Sequence, residues 1–281
     1  MKKLFILLII NMLVTKTFAQ KLILNTKIEA YLTQLPPEIK ISMAVENLDG
    51  KIIFELNQTQ TVPAASIIKV PIMVELMEQV KIGKVDLGEL YEILPNDKVG
   101  GSGTLANQEN TKALTIKQLC QKMISVSDNT STNILIKKLG MEAINKRLEI
   151  LGMTKTRLNR MMMDTEAVKA GRENWVNALE INGLLQKISH KKVANEALCN
   201  LMMDILVSCD DNSTIPNKLP KTLKIAHKTG GLPYIRGDAA IVFAPKPYII
   251  SVFVEGFKNI EDAEKIIANL SEICYLALES E

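Results

Sequence analysis
Apolar side chains recur at helical spacing over residues 22–35 and stop at Pro36-Pro37, which predicts a first helix ending there. Ile39, Ile41, Met43 and Val45 then alternate with polar or small residues, the period of a half-buried strand. Asn47-Leu48-Asp49-Gly50 reads as a turn and residues 51–56 as the returning strand. From about Thr61 to Val207 the periods are helical. The clearest helices cover residues 66–80 and 115–126, with a pair over 130–151 punctuated by Gly140 and Gly152 as C-terminal caps. Strands return at 223–229, 239–243 and 249–255. A last amphipathic helix starts at Asn259 and carries Ile260, Ala263, Ile266, Ile267, Leu270, Ile273 and Leu276 inward.

This order predicts an α/β chain of the α+β kind. Strands from both ends form one antiparallel sheet flanked by the terminal helices, an all-helical subdomain is inserted between them, and the active site lies at the junction. The expected boundaries are residues 20–61 and 213–281 for the sheet subdomain and 62–212 for the helical one.

Residues 1–19 are set apart. Lys2-Lys3, an apolar run from Leu4 to Val14, and small residues at Thr17 and Ala19 make a secretory signal cleaved before Gln20. The run is shorter than the ~20 residues that span a bilayer, so export to the periplasm or medium, without stable membrane insertion, is expected. Without residues 1–19, the remaining 262 residues hold 31 basic and 31 acidic side chains. A neutral body excludes a general basic surface for nucleic acid. With 47 % apolar and 23 % charged residues the chain is not disordered either. Cys120, Cys199, Cys209 and Cys274 show no zinc spacing and read as small buried hydrophobes, with a disulfide permitted.

Only His190 and His227 could serve a Ser-His-Asp triad, and both sit in contexts that read as structural. Lysine is the better base for an activated serine here. In Ser66-Ile67-Ile68-Lys69, at the opening of an apolar helix, residues three apart share a face, so the amine reaches the hydroxyl. Apolar surroundings lower a lysine's pKa, and free N–H groups at a helix start can hold an oxyanion. Ser-x-x-Lys by itself arises by chance about once in a chain this long, and Ser189–Lys192 is a second copy. Two further triplets change the balance: Ser127-Asp128-Asn129 at a break between helices, and Lys228-Thr229-Gly230 on a strand, followed by Gly231.

These three motifs, in this order, are the set carried by class A β-lactamases and penicillin-binding proteins. The chain resembles the class A β-lactamase family over essentially its whole length, in its leader, its element order and all three motifs. The resemblance implies that Ser66 is the acylated nucleophile, Lys69 its first base, and Ser127 the hydroxyl that relays a proton to the leaving nitrogen. It implies that Asn129 contacts the substrate amide, that Lys228 and Thr229 grip the substrate carboxylate, and that Gly231 supplies a second oxyanion N–H. Arg236, before Gly237-Asp238, resembles the family's extra carboxylate-binding arginine. No cofactor or metal is expected, the partner is a small-molecule β-lactam, and the protein is expected to be a monomer.

One loop departs from the family. There the family has an arginine, a glutamate two residues on and an asparagine four beyond that. This chain reads Arg160-Met161-Met162-Met163-Asp164-Thr165-Glu166, with Met162 at the glutamate position. Glu166 is therefore the expected deacylating base and Asp164 the second candidate, the alternative being two solvated loop acids. The leading expectation is a serine hydrolase that opens the β-lactam ring through an acyl-enzyme on Ser66. The alternatives are a D,D-peptidase or penicillin-binding acyl-enzyme acting on peptidoglycan peptides, and a β-lactam binder without turnover.

Overall fold
The structure, a computed structural model, describes residues 22–109 and 112–279. The leader expected over residues 1–19 lies outside them. A helix over residues 22–32 (α1) leads into strands Lys40–Asn47 (β1) and Ile52–Leu56 (β2). A two-residue strand, Val62–Pro63 (β3), and a 3-10 helix, Ala65–Ile68, precede helix Lys69–Lys81 (α2). Strands Leu90–Tyr91 (β4) and Leu114–Thr115 (β5) pair ahead of helices Ile116–Ser125 (α3), Asn129–Leu139 (α4) and Met141–Ile150 (α5). Then come Thr165–Lys169 (α6), Trp175–Val176 (β6, paired with β3), Ala178–Ser189 (α7) and Glu196–Val207 (α8). Strands Ile225–Leu232 (β7), Ile235–Val242 (β8) and Tyr248–Glu255 (β9) and helix Ile260–Glu279 (α9) complete the chain.

The expected single antiparallel sheet is present, in the order β2-β1-β9-β8-β7. Pairing of β1 with β9, Ala44 opposite Ser251, joins the two ends of the chain. Successive strand residues face opposite layers. Met43 and Val45 pack with Leu24, Ile28, Ile250 and Ile267 on the side of α1 and α9. Ala44, Ala239, Ile241 and Phe253 pack with the helical block. Each Ile or Leu buried in these clusters contributes about 1.5–3 kcal/mol.

β1 is not half-buried, as its alternation suggests, because α7 covers its other face. Ser42, Ala44 and Glu46 are buried there. Asn182 of α7 donates to the Ala44 carbonyl at 3.1 Å and accepts from the Ser251 hydroxyl at 2.7 Å. Small and polar residues on that face let the helix come close and give its amide partners. α9 is less completely inward than its pattern suggests. Ala263, Ile266, Ile267 and Leu270 are buried, whereas Ile260 and Leu276 are exposed. The sheet covers only one stripe of a 20-residue helix, too narrow to include them.

The helix ends follow local chemistry. Thr115 and Gln118 form a reciprocal capping box on α3, and Gly140, at φ +86°, breaks the chain between α4 and α5. The four cysteines are buried and unpaired. What matters for function is the place where the start of α2, the break between α3 and α4, and the edge strand β7 meet.

Candidate active site
Ser66 lies in the 3-10 turn that opens α2. Ala65 before it has φ +44°, a left-handed conformation that costs a non-glycine residue about 1–3 kcal/mol. This kink turns the chain from β3 into the helix. Ile67, Ile68 and Lys69 are buried, so the turn is anchored while Ser66 stays half-open. The edge strand β7 passes close by. A β-carbon at Gly230 would stand 3.0 Å from the Ser66 nitrogen and 3.1 Å from that of Ile67, so only glycine lets the strand approach the serine.

Lys69 is fully buried with its Nζ 2.9 Å from Ser66 Oγ. The same nitrogen lies 2.7 Å from the Ser127 carbonyl, 3.0 Å from Ser127 Oγ and 2.9 Å from Asn129 Oδ1. Burial pushes the amine well below the usual lysine range, the positive charge of Lys228 adds to the shift, and Asp128 opposes it. Two of the four neighbours, the Ser127 carbonyl and Asn129 Oδ1, can only accept. A neutral amine that gives its two hydrogens to them keeps its lone pair for a serine hydroxyl, which is the geometry of a general base.

The second wall is the break between α3 and α4. Ser127 has φ +55°, which turns both its carbonyl and its hydroxyl toward Lys69. Asp128, which the sequence reading left without a role, caps α4 through the Ser131 amide at 2.8 Å. Its other oxygen accepts from the Thr104 and Leu105 amides at 2.8 and 2.9 Å. This carboxylate therefore ties the glycine-rich segment 100–104 to the break. Gly103, at φ +97°, passes so near that a β-carbon there would stand 2.4 Å from the Asp128 Cα. An acid directly before a helical pattern is an N-cap signal that could have located it. Asn129 is also engaged, donating its amide to the Gly100 carbonyl at 3.0 Å.

The third wall is β7. Lys228 is fully buried, with Nζ 2.9 Å from the Thr229 carbonyl, and burial lowers its pKa against the raising influence of Cys209, Asp238 and Asp211. Thr229 is buried and Gly231 exposed. Across the ladder Gly231 pairs with Arg236 of β8. The arginine is buried and already carries two acids: Asp211 at 2.6 Å and Glu264 at 2.8 Å, with Ser213 Oγ at 2.8 Å. Neither acid was visible as a partner in the sequence, because each lies more than twenty residues from Arg236.

Residues 23–278 match the β-lactamase enzyme family. The chain belongs to that family. It is 26 % identical to β-lactamase VEB-1 of Pseudomonas aeruginosa over 257 residues, covering 84 % of each chain. Among solved structures, it is 27 % identical to PBP-A with a TM-score of 0.81, covering 92 % of this chain and 95 % of that one. A class A β-lactamase from Bacteroides cellulosilyticus has the same fold, with a TM-score of 0.85 over 93 % of this chain and 99 % of that one, at 22 % identity.

Within this β-lactamase family member the loop after α5 departs from the sequence expectation. Arg160 is buried and pairs with Glu173 at 2.7 Å, closing the loop. Asp164 instead caps α6 through the Ala167 amide at 2.9 Å. That cap places Glu166 in the first turn of a short surface helix, where its side chain is 79 % exposed and pairs with Lys169 at 2.8 Å. Glu166, the expected deacylating base, is thus not among the residues brought to Ser66. Met162 is 7 % exposed and belongs to the helical core cluster. Glu173 was missed because thirteen residues separate it from Arg160, beyond any local period. His227 has the expected structural role: burial alone would lower its pKa, but buried Asp238, at 3.2 Å, pushes it up to about 10.

Proposed function
We propose that this chain is an exported serine β-lactamase that opens the β-lactam ring through an acyl-enzyme on Ser66. The observation that carries the reading is the buried Lys69 amine, 2.9 Å from Ser66 Oγ, with two of its other neighbours able only to accept. Lys69 takes the Ser66 proton as Oγ attacks the lactam carbonyl carbon. The backbone N–H groups of Ser66 and Gly231 hold the developing oxyanion. The C–N bond breaks as Ser127 passes a proton to the ring nitrogen, and Lys69, within 3.0 Å of Ser127 Oγ, returns the proton it took. Asn129 orients the substrate's amide side chain, and Lys228, Thr229 and Arg236 form the end of the site that receives its acidic group. The basic-then-apolar leader over residues 1–19 supports export to the periplasm.

The test is to mix the mature protein with a chromogenic β-lactam and follow both product and intact mass. A Ser66-linked adduct and product beyond one equivalent are expected, and Ser66→Ala is expected to form no adduct while remaining folded. An adduct on Ser66→Ala overturns the reading.

A second reading, an acyl-enzyme with slow release acting on peptidoglycan peptides, is favoured by one observation. The loop position where the family resemblance implies a glutamate holds buried Met162, the next acid, Asp164, caps α6, and Glu166 points to solvent. A single-equivalent burst that stalls selects this reading over the first.

A further inference from the structure
Arg236 stands at the end of the site where a substrate carboxylate is received, yet its charge is already answered. Its Nη2 lies 2.6 Å from Asp211 Oδ2, 2.8 Å from Glu264 Oε1 and 2.8 Å from Ser213 Oγ. The Asp211 carboxylate also accepts from the Ser213 hydroxyl at 2.7 Å and the Ser213 amide at 3.2 Å, and the Thr229 side chain favours its ionised form. Thr229 and Arg236 are two of the three groups assigned to the substrate's acidic end, and the third, Lys228, feels Asp211 electrostatically. Asp211 lies on the segment after α8, is 39 % exposed at its side chain, and so can reach both water and the site.

Resting on the function proposed above, we infer that Asp211 is a specificity-determining residue: its carboxylate sits on Arg236 and Thr229 in the seat a substrate carboxylate would need, and it disfavours anionic ligands relative to ones neutral at that end. An incoming carboxylate must either displace Asp211 from its donors or sit beside a like charge, and like charges juxtaposed at a rim are costly. A neutral group meets neither penalty. The guanidinium remains fixed in either case, because Glu264 holds the same nitrogen independently.

The test uses the full mature chain in a Ser66→Ala background, with calorimetric binding of benzylpenicillin and of its neutral methyl ester. Adding Asp211→Asn keeps the hydrogen-bonding shape and removes the charge. It is expected to tighten benzylpenicillin about tenfold and to move the ester less than twofold. Asp211→Glu restores the charge and is expected to return the affinity ratio toward that of the parent. A shift shared equally by both ligands, or weaker penicillin binding in Asp211→Asn, overturns the inference, since either result means Asp211 only braces Arg236. Failure of both ligands to bind any variant overturns the underlying reading of the site instead.

Discussion

Both main-chain polar groups of Met162 are held by the side-chain amide of Asn133: the Met162 nitrogen donates to Oδ1 at 2.8 Å, and Nδ2 donates to the Met162 carbonyl at 3.0 Å. A helix residue of α4 therefore fixes the backbone of the loop at the position where family resemblance implies the hydrolytic carboxylate. The thioether there can neither hold nor deprotonate a water.

Because Asn133 holds only the backbone of that residue, Met162→Glu keeps the chain path and adds a carboxylate. Deacylation is expected to quicken at least tenfold, read as a shorter half-life of the penicilloyl adduct by intact-mass spectrometry. Stability is expected to fall by about 1–3 kcal/mol, the cost of burying a polar group among apolar neighbours. An adduct lifetime equal to that of the parent contradicts the assignment of this position.

Glu166→Gln is expected to leave adduct lifetime and turnover within twofold of the parent. Its side chain is solvated and paired with Lys169, away from the serine, and exposed pairs of this kind contribute little. A long-lived adduct in this variant would show that the loop moves Glu166 inward during the reaction.

Gly230→Ala tests the closeness of β7 to the nucleophile. The added methyl meets main-chain nitrogen at 3.0 and 3.1 Å, which cannot swing aside as a side-chain tip can. A loss of about 1–3 kcal/mol is expected from overpacking, together with an acylation rate at least tenfold slower. Parental acylation kinetics would mean that the strand and the Ser66 turn are not rigidly apposed.

The His227–Asp238 pair has a signed pH dependence. The folded pKa of about 10 lies above the ordinary value of 6.5, so the native state binds the proton more tightly than the unfolded one. The pair's contribution to stability is then complete below about pH 6.5 and is lost as pH rises toward 10. Nitrogen NMR of the two histidines is expected to show His227 still protonated at pH 8.5, and urea midpoints are expected to fall between pH 7 and 10. A His227 that titrates near 6.5 rules out a charged pair.

Local physics made much of this protein legible from its residues. Periods of two and 3.6 in Met43, Val45, Ile266 and Leu270 report which faces meet a core, so the sheet and its terminal helices follow from pattern. The spacing of Ser66 and Lys69 across one turn brings their polar atoms to 2.9 Å, because a helical turn sets that distance by itself. The order of Ser127, Asn129, Lys228 and Thr229 marks the family. What sequence spacing could not carry is any contact closed by another part of the chain. Arg236 meets Asp211 and Glu264 from opposite directions along the sequence, and Arg160 meets Glu173 while the nearer Asp164 caps α6, because the path of the folded chain, not distance along it, decides which charges meet. Glu166 could be counted into the site, but only the cap made by Asp164 decides that its helix turns it toward water.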